Sequence, residues 1–480
     1  MLLEYKIMSL ELDKFFNLQV DEVEDAPLQQ SLLTTIRTPI EAANPNTNSV
    51  FIKIPKIGLL TSDSMVTFNL KAEQPTGTNC RVNLLNGCLG AIKRFTLRVD
   101  NKILTDLEKP SYFVTQALYS QNSVSKISCM HHYLFGCNTR IAVDRVLGRD
   151  TPDVRCGMSV SYDVSTNVPT ITAQEFFISD DDAVNYRFGV PLSFLGATWL
   201  SNNNLPMFMM KDREVILEIQ FEKDAREYVV GTDDVDLAYC GVNLNTVELV
   251  STHILQDEEL ERAMMAQIKK TPFKYPMVDT YLVKNVISPS VLNQTKEDTY
   301  RINLQGRELH SMLLAFRDTV LPDHSSIGTY KVFCANQGSD SLGDEEYLLK
   351  MNGRNVFERP VSSQALIYFL TQLYNKGASL QVSKLMYSCD QNCILNAVEN
   401  TDEINQDLRG IGHWVGFDFE NGNNVVFGSG VQQVAPLEIQ YSATPRTDEF
   451  PIQTNTHEIL SYMSVSKLLT IGAGQVGVTF

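Results

Sequence analysis

Apolar and polar residues alternate with a period of two along much of this chain. In "EVILEIQFE", Val215, Leu217, Ile219 and Phe221 fall on one face and Glu214, Glu218, Gln220 and Glu222 on the other, with only Ile216 out of step. This predicts an antiparallel strand with one face buried and one solvated. Similar short runs occur at "SVFIKIPK", "MVTFNLKA", "RFTLRVD", "VDTYLVKNV" and "APLEIQY". They are separated by turn-rich segments such as "QPTGTN", "SNNN", "NQGSDSLGD" and "ENGNN". Many short strands punctuated by Gly, Asn and Pro predict an all-β sandwich or barrel class.

One segment has the helical period instead. "QDEELERAMMAQIKK" opens on Asp257, Glu258 and Glu259 and closes on Lys269 and Lys270, the charge order that complements a helix dipole. Leu260, Met264 and Ile268 recur every fourth residue, and Glu258 and Arg262 are spaced for an i,i+4 ion pair. It lies near the middle of the chain. It reads as a connector between two β domains, with Pro272 and Pro276 marking where the second begins.

An internal repeat supports that division. "LEIQF" at Leu217 to Phe221 returns as "LEIQY" at Leu437 to Tyr441, an offset of 220 residues. "RFTLRVDNKILTDLEKPSYFVTQALYS" is echoed by "YLLKMNGRNVFERPVSSQALIYFLTQLYN" at an offset of about 250. Each begins with a strand and a tight turn (Asp100-Asn101; Asn352-Gly353), then a short strand and a Glu-basic-Pro step (Glu108 to Pro110; Glu358 to Pro360). Each proline is expected to start a short helix. The repeat predicts that Leu217, Ile219 and Phe221 point into one core, and Leu437, Ile439 and Tyr441 into a second.

A length of 480 residues suits two or three domains. With 57 acidic against 40 basic residues the net charge is -17, so a broad phosphate-binding surface is not expected. The nine scattered cysteines favour free thiols in a reducing compartment over a disulfide frame. No run of 18 apolar residues is present, and Glu4, Lys6, Glu11 and Asp13 interrupt the apolar N-terminal stretch. Neither a membrane-spanning helix nor a secretion signal is expected.

Candidate chemistry is sparse. Gly472, Gly474 and Gly477 have the G-x-G-x-x-G spacing of a dinucleotide cradle, but only three residues follow and no helix can. They read as a glycine-softened tail. "CMHHYLFGC" gathers Cys129, His131, His132 and Cys137, but a structural zinc site needs a matching distant ligand pair, and "CDQNC" (Cys389, Cys393) lacks one too. His253, His310, His324, His413 and His457 are isolated. The acidic runs at Asp180 to Asp182 and at Asp233, Asp234 and Asp236 read as solvated turns, without the register of a calcium loop. No catalytic, cofactor-binding or metal-binding residue is assigned, and an enzyme is not expected.

Taken in order, two segments resemble the double jelly-roll major capsid proteins of double-stranded DNA viruses, in the polinton-like virus, adintovirus and virophage branch. "VPLSFLGATWLSNNNLPMFMMKDREVILEIQFE" (Val190 to Glu222) is similar to that family's approach to the penultimate strand of its first roll. "CGVNLNTVELVSTHILQDEELERAMMAQ" (Cys240 to Gln267) resembles its closing strand and the acidic helix start that follows. The resemblance implies an N-terminal segment at 1–28, a first roll at 29–255, a connector helix at 256–271, a second roll at 272–471 and a C-terminal tail at 472–480. It further implies a homotrimeric, pseudo-hexameric capsomer in an icosahedral virion shell around a DNA genome, with neighbouring capsomers, penton and minor capsid or cement proteins as partners. It implies no small-molecule substrate and no sequence-specific nucleic-acid binding. The stretch from Thr105 to Asp182 would be an insertion at the roll's end. "SVSKLLTI" would close the second roll, and "GAGQVGVTF" would be a flexible or partner-docked tail whose alternating Val476, Val478 and Phe480 are expected to pack on a neighbouring subunit or minor capsid protein. The alternative is a tandem jelly-roll protein that binds or hydrolyses glycans. It would need paired carboxylates beside aromatic platforms, and the chain has two tryptophans.

Overall fold

The computed structural model describes residues 32–73, 80–82, 87–113, 134–136, 158–163, 168–173, 178, 186–201, 204–230, 239–287, 294–319, 344–362, 414–419, 430–444, 457–472 and 475–479. The first roll is built from β1 (Leu32–Pro39), β2 (Ser49–Lys53), β3 (Met65–Ala72), β4 (Ile92–Val99), β5 (Lys102–Glu108), β6 (Arg187–Pro191), β7 (Val215–Phe221) and β8 (Cys240–Leu255). One sheet runs β1-β8-β3-β6 and the other β2-β7-β4-β5, with every pairing antiparallel. This is the jelly-roll order, in which strands far apart in sequence become neighbours.

Helix α1 (Glu258–Ile268) crosses to the second roll. Asp257 caps it by accepting a hydrogen bond from the Glu259 amide at 2.9 Å, Arg262 pairs with Glu258 at 2.6 Å, and Met264 and Ile268 are buried. The second roll uses β9 (Phe273–Ile287), β10 (Lys296–Ile302), β11 (Glu308–Asp318), β12 (Asp344–Met351), β13 (Arg354–Asn355), β14 (Trp414–Asp418), β15 (Leu437–Thr444) and β16 (His457–Gly472). Its sheets run β9-β16-β11-β14 and β10-β15-β12-β13. Numbered one to eight within each roll, both rolls have the sheets 1-8-3-6 and 2-7-4-5.

The echoes in the sequence occupy equivalent places. "LEIQF" and "LEIQY" lie on β7 and β15, the seventh strand of each roll, and all six named side chains are buried in two separate cores. "RFTLRVD" and "YLLKMNG" are the fourth strands, β4 and β12. Each ends in a turn with a left-handed residue, Asp100 at φ 49° and Asn352 at φ 50°. Asn and Asp tolerate that backbone better than other side chains do.

Three expectations need correction. Thr105 belongs to β5 and is fully buried, so the insertion does not begin until after Glu108. A helical turn starts at Pro110 as expected, whereas in the second copy Val361 and Ser362 pair with β12 as a short strand instead. The C-terminal segment does not wait for a partner. β17 (Gln475–Thr479) folds back on β16 of the same chain, pairing Leu469 with Val478 and Ile471 with Val476. Val476 and Val478 are half-buried against the first roll's core, so their apolar alternation is covered within the chain. Deleting Gln475–Thr479 is therefore expected to lower the chain's own stability by about 2 kcal/mol or more, from lost apolar burial alone. A melting temperature unchanged by the deletion would contradict this packing.

Candidate functional site

The sheet β9-β16-β11-β14 is apolar on both faces. On one face Met312, Leu314, Phe316, Ile459 and Val465 fill the second roll's core. On the other, Leu313, Ala315, Leu460 and Tyr462 join the core of the first roll. "SMLLAF" at Ser311 to Phe316 is a continuous buried run for that reason, since a sheet covered on both sides has no face to give to water. The second roll is thus joined to the first through a broad apolar seam.

Polar groups set into this seam fix its register. Lys467 on β16 and Asp279 on β9 lie diagonally on neighbouring strands, and the Lys467 ammonium donates to Asp279 Oδ2 at 2.9 Å and to the Leu104 carbonyl of β5. Thr105 Oγ1 donates to Asp279 Oδ1 at 2.9 Å, and Trp199 Nε1 donates to Thr105 Oγ1 at 2.9 Å. The indole stands edge-on to Tyr275, with ring centroids 5.9 Å apart. Burial raises the pKa of Asp279, opposed by the Lys467 charge and by hydrogen bonds from Lys467, Thr105 and the Thr280 backbone. Gly196, at φ 127°, lets the turn before Trp199 lie on β5, because a side chain there would meet Leu107 Cβ at 2.9 Å.

A second polar group lies at the end of β5. Lys109 is buried and pairs with Glu222, and with Glu227 at 3.1 Å. From the second roll, Arg317 reaches Glu227 and also Glu458, the latter at 3.2 Å. Tyr462 Oη donates to the Lys109 carbonyl at 2.6 Å, and its ring packs on Phe113. Burial raises the pKa of Glu222, against the pull of Lys109. Burial also pushes the Tyr462 hydroxyl well above its ordinary range. These residues were not singled out in the sequence, although a lysine inside "SVSKLLTI" and an aspartate inside "MVDTYL" are charges in otherwise apolar strands and could have flagged the seam.

Cys129, His131, His132, Cys137, Cys389, Cys393, His324, His413 and the acidic runs at 180–182 and 233–236 lie outside the described residues. Among the described residues no group of three or more His, Cys, Asp and Glu side chains is placed to hold a metal, and no helix is long and apolar enough to cross a membrane. Gly472 ends β16 and Gly477 lies within β17, so the glycine spacing spans a hairpin and not a strand-to-helix turn. His310 Nε2 lies 2.7 Å from Ser466 Oγ, whose hydroxyl donates to Glu308 at 2.9 Å. An open groove of about 300 Å³ on the outer face of β7, β4 and β5 is lined by Arg94, Thr96, Arg98, Ile103, Glu218 and Gln220. Among the described residues its lining has one carboxylate and no aromatic ring, so this groove lacks the paired carboxylates and aromatic platform that glycan hydrolysis needs.

His253 on β8 is fully buried. Its Nδ1 donates to the Ile57 carbonyl at 2.9 Å, leaving Nε2 to accept from Ser251 Oγ at 2.9 Å. Burial lowers its pKa below 6.5. A depressed pKa contributes stability that is present above pH 6.5 and is lost as pH falls through the folded value. The raised carboxylates Glu222 and Asp279 act with the opposite sign, contributing below their ordinary range and losing that contribution as pH rises. Comparing the native chain with His253→Asn by denaturant titration isolates the histidine: the stability gap is expected to narrow as pH falls below 6.5. A gap independent of pH would refute the assignment.

No protein-family profile and no curated protein matches the sequence. Solved structures do match the fold. PBCV-1 VP54, as fitted into a cryo-EM reconstruction of the virophage Sputnik, aligns with a TM-score of 0.58 at 12% identity, covering 96% of this chain and 99% of that one. A chain of the Sputnik virophage structure aligns at 0.55 and 11%, covering 96% and 91%. The faustovirus major capsid protein aligns at 0.54 and 11%, covering 94% and 92%. At such low identity the likeness establishes a common double jelly-roll fold along nearly the whole chain.

Proposed function

We propose that a chain with two jelly rolls of one topology, held together as a single block, is the major capsid protein of a double-stranded DNA virus, with a structural and not a catalytic role. The observation that carries this reading is the duplicated 1-8-3-6 and 2-7-4-5 sheet order joined through a buried seam. Two similar rolls in one rigid chain give three chains six similar sides, the geometry a hexagonally tiled shell requires. The same two-roll fold occurs in the faustovirus major capsid protein and in the Sputnik virophage structure. The homotrimer, the icosahedral shell, the virion location and the polinton-like, adintovirus or virophage branch belong to this proposal, as do penton and minor capsid partners.

The test is the mass of the purified chain by light scattering, with electron microscopy of the same sample. Trimers that persist on dilution, or closed shells, are the expected result, since obligate interfaces commonly bury about 2,000 Å² or more. A monomer stable at all concentrations would overturn the assembly reading.

A further inference from the structure

The geometry points to a covalent modification: Lys109 Nζ and the Glu222 carboxyl are placed to condense into an internal isopeptide bond, with Glu227 as the proton acceptor. It does not depend on the capsid reading. Lys109 leaves the end of β5, where its amide donates to the Lys93 carbonyl. Glu222 follows β7 directly, with its own amide on the Ala91 carbonyl and its carbonyl held by Asn48 Nδ2 at 3.0 Å. Both main chains are therefore pinned to the same sheet end.

The three reacting groups are 7%, 7% and 6% exposed for Lys109, Glu222 and Glu227. The amine contacts both carboxylates, Glu222 directly and Glu227 at 3.1 Å. Two buried glutamates, Glu222 and Glu227, contact the single Lys109 ammonium, while Arg317 pairs with Glu227 and Glu458 and Lys93 acts on Glu222 only through its charge. Holding two buried carboxylates against one ammonium is costly, and the cost is relieved if one of the two is protonated. Arg317 binds Glu227 and Glu458, leaving Glu222 as the carboxyl that takes the proton. Burial raises the proton affinity of Glu222, with the Glu227 charge adding to the effect. Tyr228 beside it is fully buried, and that burial is the main cause of its raised pKa.

The step balances without a co-reactant. Glu227 takes one proton from the Lys109 ammonium, and the freed amine attacks the Glu222 carboxyl carbon. The C–OH bond breaks, and the hydroxyl leaves as water with a second amine proton. The third proton remains on the new amide, Glu227 ends protonated, and the net charge of the three groups is zero before and after. Holding a buried amine against a protonated carboxyl in one geometry supplies the proximity that an intermolecular amidation lacks. The bond would tie the end of β5 to the end of β7, beside the Arg317 bridge to the second roll.

The experiment is intact-mass spectrometry of the folded full-length chain, fresh and after prolonged incubation, followed by proteolysis and fragment sequencing. The expected result is a mass lower than the sequence mass by one water and a branched peptide joining Lys109 to Glu222. Lys109→Arg, which keeps the cation but cannot form this amide, is expected to show no water loss, and neither is Glu227→Gln. A full sequence mass after incubation, or a water lost from another pair, overturns the proposal. Water loss persisting in Glu227→Gln overturns the role given to Glu227.

Discussion

Asp279→Ala and Lys467→Met are each expected to destabilise the chain by about 3–5 kcal/mol, the cost of leaving a buried charge without its partner. Both side chains are almost wholly covered, and each is committed to groups across the seam: Asp279 to Thr105, and Lys467 to the Leu104 carbonyl. Removing one partner strands the other as a buried, unpaired charge. The paired change Asp279→Leu with Lys467→Met is expected to recover most of the loss, because two apolar side chains of similar volume suit the surrounding Tyr275, Met277 and Leu469. Denaturant unfolding of the three variants forms a double-mutant cycle. If each single change costs less than about 1 kcal/mol, the value of an exposed pair, then these groups are not buried as described.

The second large effect concerns the duplicated strands. Leu217→Ala and Leu437→Ala are each expected to cost about 2–5 kcal/mol, since both side chains are fully buried and their removal leaves a cavity. Leu217 lies in the core that runs on through the seam, and Leu437 in the core confined to the second roll. Changes in separate cores add within about 0.5 kcal/mol when no partner is shared. The double variant is accordingly expected to lose the sum of the two, measured as the shift in denaturant midpoint at constant slope. Strong non-additivity would mean that the two leucines share one packing unit.

How much of this was legible in the sequence follows from the environment of each strand. β7 and β15 have one core face and one wetter face, so their alternation could be read directly, and the repeat "LEIQ" placed them as equivalent. The acidic opening of α1 was equally plain, and Asp257 does cap it. Strand β11 was harder. It is covered on both faces, so "SMLLAF" carries no period, and nothing local says that its outer side meets another roll. The seam's charges were hidden for a related reason: Leu104 and Lys467 are 363 residues apart, and only the topology brings them together. The tail failed differently. The alternation of Val476 and Val478 does call for cover, but the Gly472 to Gln475 pairing that turns them back on β16 supplies it within the chain, where the sequence points to a flexible or partner-docked tail.

The seam also sets an order of events during synthesis. The first roll's contribution, Leu104, Thr105, Lys109, Trp199 and Glu227, leaves the ribosome long before Lys467, Val476 and Val478 do. N-terminal domains commonly fold as they emerge, at about 5–20 residues per second. For roughly ten seconds or more at that pace, the first roll stands with its seam face open to water and to other nascent chains. That face is the surface on which the unfinished product is most prone to stick. Closure comes only when β16 and β17 arrive, so chains cut short before Lys467 should be the species that a cell's chaperones and proteases hold and remove.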